Sequence, residues 1–463
     1  MKPRDLARVL LHEMHGILIP ALLALVPFAQ AQTTPSTRPA GVTADDLAPH
    51  VVPVRSIDPA DDDFADLMPL KEAIGESRVV VLGEQSHGDG PVFLAKARLI
   101  RFLHQECGFD VLVWESGVYD CTRVHEALKA GGGREAFDLG VFPIWTRSAQ
   151  VHPTLDYVIE SYQGDRPLEI AGYDAQITSG QSDIGEAIVA FARVLGDDHP
   201  AAALAASVAK GCEVFTSVPP AEEAERRKGL ADIVPQAQEL AEVLTAERAR
   251  LVEAHGEART ALMLQSVRSV GCFFEMVVEM DRQGEVPDAA SGNARDRQMG
   301  ENLAFLAREM YPDRKLIVWC ATFHAIHAPP EVHPHMRPDH YERTVTGGQV
   351  AREKLGETMY TIGFEADHGR VANVFRQQAW PLMPSPEGSV GAAFAAGDEA
   401  FAFLDLRGLP EDHPMRKPQV GRELGYMPVK AVWPDQVDAI FFIREMFPST
   451  ADHLAPPGYE LSR

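Results

Sequence analysis

Residues 78–120 read RVVVLGEQSHGDGPVFLAKARLIRFLHQECGFDVLVWESGVYD. Val79 to Leu82 is a short apolar run of the kind that fills a parallel strand buried on both faces. Gly83 breaks the run, and Glu84 and His87 fall in the turn that follows. Asp89, Gly90 and Pro91 start a helix, with proline suited to its first position. The stripe of that helix is Val92, Ala95, Leu99, Ile100 and Leu103, and Gly108 ends it. Val111 to Trp114 is a second buried strand, with Glu115 at its carboxyl end. The pattern is strand, helix, strand, and it predicts an α/β fold with a mainly parallel sheet flanked by helices.

In such sheets, sites form beyond the carboxyl ends of the strands. The spacing predicts two adjacent strands that both end in ionisable groups: Glu84 and His87 on one, Glu115 on the other. A histidine between two carboxylates suits a general base, because a carboxylate fixes its tautomer and stabilises the imidazolium. A capping glutamate and a structural histidine in a tight turn are the plainer alternative.

The rest of the chain repeats the theme. Leu168 to Gly172 reads as a third strand with Asp174 just beyond it, either a further site carboxylate or the N-cap of the next helix. Leu316 to Trp319 is a fourth strand, followed by Thr322, His324 and His327. Thr361 to Phe364 is a fifth, and short β signals at Ala400–Leu404 and Ala439–Ile443 complete the sheet. In the helix expected over 293–310, Arg295, Gln298 and Asn302 share one face. Arg295 reads as a holder of a substrate carbonyl or carboxylate, or as a clamp on Asp174 or Glu84. Asn302 is a second candidate substrate contact. The stretch FPIWTRSAQ, 142–150, reads as packing beneath a loop or as a pocket wall.

Between these halves, residues 183–282 lose all strand signals and become rich in Ala, Glu, Arg and Leu. They predict an inserted helical subdomain of three or four long helices. The organisation expected is therefore 51–182 and 291–463 as two parts of an α/β core, with 183–290 inserted between them.

The N-terminus predicts export. Lys2, Arg4 and Arg8 precede an apolar run from Ile17 to Ala29, and Ala29-Gln30-Ala31 fits a cleavage site. Residues 1–31 read as a signal peptide and 32–50 as a disordered lead-in, with a periplasmic or secreted mature protein. No other segment reads as a membrane span. The formal net charge of −24 in 463 residues argues against nucleic acid and anionic membranes as partners. A small-molecule substrate is the expected partner. Of the five cysteines, Cys212 and Cys272 form a possible pair in an oxidising compartment.

Residues 55–118, with Lys96, Gly108-Phe109 and Trp114-Glu115-Ser116, resemble the erythromycin esterase family. The resemblance recurs at 292–310, 315–324 and 347–364. It implies that His87, the histidine of the GExxHG turn, activates water, that Glu84 and Glu115 support it, and that Lys96 lines the site. It also implies that the helical insertion covers the cleft. The chain departs from the family after the fourth strand. The usual pattern there is WAHNxH, and this chain has Ala321 and Thr322 in place of the first His and the Asn, keeping His324.

The expectation is thus an exported hydrolase of an ester or lactone, needing no cofactor. His87 is its base, Glu84 and Glu115 support the base, and Arg295 or His324 stabilises the oxyanion. A metal enzyme using Glu84, His87, Glu115 and His324 as ligands is the second reading. A loose cluster of His324, His327, His333, His335 and His340 prompts a similar question, although its spacing matches no defined metal motif. A binding protein that lost activity with the first His of WAHNxH is the third reading. A serine triad is not expected, since GxSxG is absent.

Overall fold

A computed structural model describes residues 41–462 except 218–219, 285–287, 336 and 377, so the expected signal peptide lies outside the described residues. The apolar runs Val79–Leu82, Val111–Trp114 and Leu316–Trp319 lie at the heart of the sheet. They belong to β2 (Val79–Leu82), β3 (Val111–Gly117) and β5 (Leu316–Trp319), all buried along their whole length. Each such Val, Leu or Ile side chain contributes about 1.5–3 kcal/mol on burial. The other strands are β1 (Val51–Pro53), β4 (Glu169–Asp174), β6 (His333–Pro334), β7 (Met359–Val371), β8 (Trp380–Leu382), β9 (Phe401–Asp405), β10 (Gln419–Gly421), β11 (Val429–Ala431) and β12 (Ala439–Met446).

The large sheet has the order β1-β9-β12-β7-β2-β5-β3-β4, with β8 on the far end of β7. From β12 to β4 every neighbouring pair is parallel. Antiparallel pairing is confined to β1, β8 and β9. The expected mainly parallel α/β sheet is therefore what forms. Strands β10, β11 and β6 make a separate small antiparallel sheet.

One expectation fails in an instructive way. Strands β2 and β3 are not neighbours, because β5 inserts between them and pairs with both. A parallel sheet admits strands from distant sequence at its centre, and β5 is apolar and buried along its whole length. The consequence is a site drawn from three strand ends rather than two.

Helix Gly90–Cys107 joins β2 to β3 and is buried on nearly every side. Gly108, in the left-handed region at φ 76°, ends it, and its N–H donates to the Leu103 carbonyl. Among the described residues between 184 and 283 lie the helices Ile184–Ala192, Pro200–Thr216, Pro220–Arg227, Leu230–Ala246, Arg248–His255 and Glu257–Gln283. Only three of these reach seventeen residues. The last is long and apolar enough to cross a membrane by length and composition, contrary to the sequence reading. Its apolarity is used internally: Met263, Val267, Val270 and Phe274 pack into the bundle's own core.

Two further corrections concern the termini and cysteines. Residues 41–50 are not a structureless lead-in. Thr43 caps the short helix Ala44–Leu47, and Val42 and Leu47 pack into the cluster around Trp433. All five cysteines are free, so Cys212 and Cys272 do not pair. The Cys272 thiol instead faces Gln298 Oε1 at 3.6 Å.

Candidate active site

The turn after β2 is held tightly from outside. The Ser449 N–H donates to the Gly88 carbonyl at 2.9 Å, and the Gly90 N–H donates to the Phe447 carbonyl at 3.1 Å. Backbone crowds Gly88 so closely that a Cβ there would stand 2.6 Å from the carbonyl carbon of Ala372. This is the close approach that calls for glycine. Asp89 accepts from the Ser86 N–H and hydroxyl, both at 2.8 Å, which folds the turn so that His87 doubles back toward Glu84.

Glu84 is completely buried and has three partners. Its Oε1 lies 2.7 Å from His87 Nδ1 and accepts from Trp145 Nε1 at 3.2 Å. Its Oε2 accepts from Lys96 Nζ at 2.5 Å. Lys96, also fully buried, donates to the Cys320 carbonyl at 3.1 Å and sits 4.4 Å above the Trp319 ring. A buried charge is tolerated only when it is paired and hydrogen-bonded, and here each charge supplies the other's need. Burial pushes the Glu84 carboxyl up, but Lys96 and His87 outweigh it and hold it below its ordinary value.

His87 stands edge-on to Trp145 at 5.3 Å between ring centroids. Burial works against its protonation. The hydrogen bond to Glu84 and the charges of Glu115 and Glu84 win, and the imidazole is held above its ordinary value.

The second half of the site hangs on Arg295. Its Nε and Nη2 donate to the two oxygens of Asp174 at 2.9 and 2.7 Å, and Nη2 also reaches Glu115 Oε1 at 3.1 Å. Glu115 Oε2 accepts the Ala321 N–H at 2.7 Å. His324 Nδ1 lies 2.7 Å from Asp296 Oδ1. Its Nε2 is 3.3 Å from Arg295 Nη1 and 3.4 Å from Glu115 Oε1. Burial opposes the His324 charge, but Asp296 and Glu115 outweigh it and raise this imidazole too.

The structure therefore brings Glu84, His87, Lys96, Glu115, Asp174, Arg295 and His324 to the same ends of β2, β3, β4 and β5. It does not present all of them to a ligand. Lys96, Asp174 and Arg295, expected to contact substrate, are at most 3% exposed and spend their polar atoms on one another's neighbours. Asp174 is not an N-cap, since the following helix starts at Ile184 after Asp183. Asn302 is a clearer correction. It is fully buried, donating to the Tyr173 carbonyl and Ser269, and accepting from Gln265 and Gln298. It ties helix Glu257–Gln283 to the end of β4, and a side chain with four protein partners has none left for substrate.

Two residues of this site were not assigned from sequence. Trp145 walls His87 and bonds Glu84, the pocket role that the 142–150 stretch allowed as one of two readings. Asp296 orients His324 and went unremarked beside Arg295. A carboxylate next to an arginine at the start of a helix was the available signal.

The histidine cluster disperses. The His327 Nε2 lies 2.9 Å from Thr361 Oγ1, at the start of β7, and burial pushes this imidazole down to about 4. The His333 Nδ1 turns to the Pro338 carbonyl. Among the described residues no three His, Cys, Asp or Glu side chains are grouped as metal ligands.

Comparison with known proteins places this geometry. Over 398 residues the chain is 25% identical to a protein named hydrolase YbfO of Bacillus subtilis (strain 168), covering 83% of this chain and 87% of that one. A 57-residue stretch is 42% identical to erythromycin esterase type II of Escherichia coli, covering 12% of this chain and 14% of that one. Among solved structures, a Bacillus cereus protein superposes with a TM-score of 0.70 at 19% identity, over 89% of this chain and 98% of that one. A mutant of the erythromycin esterase EreC in its open conformation gives 0.69 at 16% identity, over 87% of this chain and 100% of that one. These two likenesses establish a shared fold. The sequence model of the erythromycin esterase family matches residues 104–446, nearly three quarters of the sequence, and the chain belongs to that family of hydrolases.

Proposed function

We propose that the protein is an exported hydrolase that cleaves an ester or lactone with a water molecule activated by His87. The observation that carries this reading is the contrast between His87 and its surroundings. Its side chain is 12% exposed, while Glu84 and Lys96 are fully covered and His324 is at 7%. Its Nδ1 is fixed by Glu84. Among the described residues no hydrogen-bond partner holds its Nε2, so that nitrogen is free to take a proton from water. Glu84 then does what a triad carboxylate does, holding the tautomer and balancing the imidazolium.

His324 is the better candidate for the developing oxyanion. Arg295 has two of its three nitrogens held by carboxylates, and the Ala321 N–H is taken by Glu115. Raised by Asp296 and Glu115, a charged His324 supplies the electrostatic stabilisation.

The test is His87→Ala against a panel of esters and lactones, with and without a chelator. Turnover falls by about 10²–10⁴-fold, the usual contribution of a general base, while ligand binding persists. Chelator leaves wild-type turnover unchanged. Undiminished turnover in His87→Ala removes the base assignment, and chelator-sensitive turnover restored by zinc replaces it with metal catalysis.

A further inference from the structure

A second set of buried acids lies behind the catalytic turn, and the chemistry above does not use it. The segment Gly421–Met427 crosses that turn. The Gly425 N–H donates to the Gln85 carbonyl at 3.1 Å, and Gln85 Nε2 donates to the Arg422 carbonyl at 3.3 Å. The Tyr426 hydroxyl faces the Asp89 carboxyl. Among the described residues Tyr426 is the one non-glycine with a left-handed backbone, at φ 62°, directly after Gly425 at 64°. Such strain persists where the surroundings over-determine it.

What holds the segment from behind is a pair of carboxyls. Glu423 is completely buried, and neither of its oxygens has a hydrogen-bond donor among the described residues. It folds back over Gly421, where a Cβ would stand 2.3 Å from Glu423 Oε2. The group it faces is Glu365 on β7, equally buried. Glu365 already accepts the Ala366 N–H at 3.1 Å and the Arg422 N–H at 2.9 Å. The Arg422 guanidinium favours the charge on Glu365. Its Nε is 3.8 Å from Glu365, and its other nitrogens donate to the Met383 and Asp367 carbonyls and to Ser385.

Two facing carboxylates without water cannot both be charged. Glu365 has donors that suit an anion, and Glu423 has none, so the proton belongs to Glu423. Burial first, and then the Glu365 charge, push Glu423 well above its ordinary value. The other ionisable groups facing this cluster are Arg422, Tyr426 and Asp89. Burial raises Asp89 to about 7, against its bonds from Ser86 and with Glu84 adding to the rise.

We propose that Glu423 is a positioning residue for His87, the proton it shares with Glu365 clamping Gly421–Met427 onto Gln85 and Asp89. Loss of that proton drives the two acids apart, lifts the segment and loosens the turn. Since the folded protein keeps this proton after an unfolded chain has lost it, the pair weakens the fold progressively above the ordinary Glu range, until Glu423 ionises.

The test is amide hydrogen exchange across a pH series, comparing wild type with Glu423→Gln at each pH so that intrinsic exchange cancels. The amide of the variant still donates to Glu365 and cannot ionise. At about pH 4, the ordinary carboxyl range, the two coincide; as pH rises the wild-type peptides covering 421–427 and 84–90 exchange progressively faster than the variant's, several-fold or more at alkaline pH. Glu365→Gln removes the same repulsion but leaves Glu423 buried and ionisable, so it gives part of that protection, and either variant decides if the other fails to fold. Equal exchange in wild type and variants at every pH overturns the proposal. The kinetic arm alone rests on His87 as base. On a cleaved ester, kcat rather than KM falls further at alkaline pH in the wild type than in Glu423→Gln, beyond the loss both share as His324 becomes neutral. If no ester is turned over, that counts against the base assignment while the exchange result still judges the clamp.

Discussion

Replacing Arg295 by Met tests whether the site is built on charge pairing. The guanidinium makes three charge-assisted bonds, two to Asp174 and one to Glu115, and is 3% exposed. Each such bond is worth about 1.5–3 kcal/mol. Their sum is an upper bound, because removing Arg295 also relieves the cost of burying it. The larger effect is what remains: two carboxylates, at most 1% exposed, with their cation gone. Breaking a buried pair from one side costs about 3–5 kcal/mol. The cost depends on pH, with a definite sign. In the wild type, burial pushes the Asp174 carboxyl up, but Arg295 outweighs it and holds the group below its ordinary value. That pair stabilises the fold fully above the unfolded Asp value of about 3.9, and its contribution is lost as pH falls through the lower folded value. Without Arg295, the hydrogen bond from the Gln176 N–H and the His324 charge are left to oppose the larger effect of burial, and the carboxyl rises above its unfolded value. The variant then loses stability as pH rises. The gap between the two proteins therefore widens from about pH 4 to neutrality. Urea unfolding followed by circular dichroism reads it as a midpoint shift. Adding Asp174→Asn to Arg295→Met recovers part of the loss, because one stranded charge is removed. A gap below about 1 kcal/mol and flat with pH, the behaviour of a surface pair, refutes the reasoning.

Two other predictions follow the same electrostatics and the sequence. On the proposed mechanism turnover rises with pH as His87 becomes neutral, with a limb above the ordinary histidine value of about 6.5. Glu84→Gln removes the charge that, with Glu115, raises His87 and weakens the hydrogen bond to Nδ1 while leaving Lys96 beside it, so the limb moves to lower pH and the plateau falls. A limb that stays in place means that another group titrates. For export, N-terminal sequencing of protein from the native host finds Gln32 or a near neighbour first, behind Ala29-Gln30-Ala31. Full-length chain in the membrane fraction contradicts the signal-peptide reading.

The parts of the fold legible in sequence were those with a local cause. Strands β2 and β5 match the predicted Val79–Leu82 and Leu316–Trp319. An unbroken apolar run bounded by glycine or a charge leaves little choice. Strand β7 was foreseen only as Thr361–Phe364 because its second half is polar, running to Val371 with β8 and β12 beside it. Strand order was not legible, since nothing in β5 itself says that it lies between β2 and β3. The partners of the site side chains were harder still. Glu84, His87, Glu115 and His324 were found because strand ends collect charge, and Arg295 because it shares a polar helix face with Gln298 and Asn302. Which of them face a ligand depends on which charges neutralise which, and that follows from contacts such as Lys96 to Glu84, twelve residues apart along a helix entry.

That pairing leads to a charge argument about the proposed chemistry. Four carboxylates, Glu84, Glu115, Asp174 and Asp296, face two fixed cations, Lys96 and Arg295. With both imidazoles neutral the site carries two uncompensated negative charges in a nearly dry setting. Both histidines answer that deficit, and both are held above their ordinary values. They are not equivalent. His87 has one carboxylate hydrogen-bonded to it, and Lys96 counts against its charge. His324 has Asp296 at 2.7 Å and Glu115 at 3.4 Å, with Arg295 opposing. The working form is then the one with a single proton between the two rings, His87 neutral to accept from water and His324 charged to meet the oxyanion. Such a division gives a bell-shaped pH profile whose two limbs belong to the histidine pair. The carboxylates, at most 3% exposed, set both limbs through the two rings.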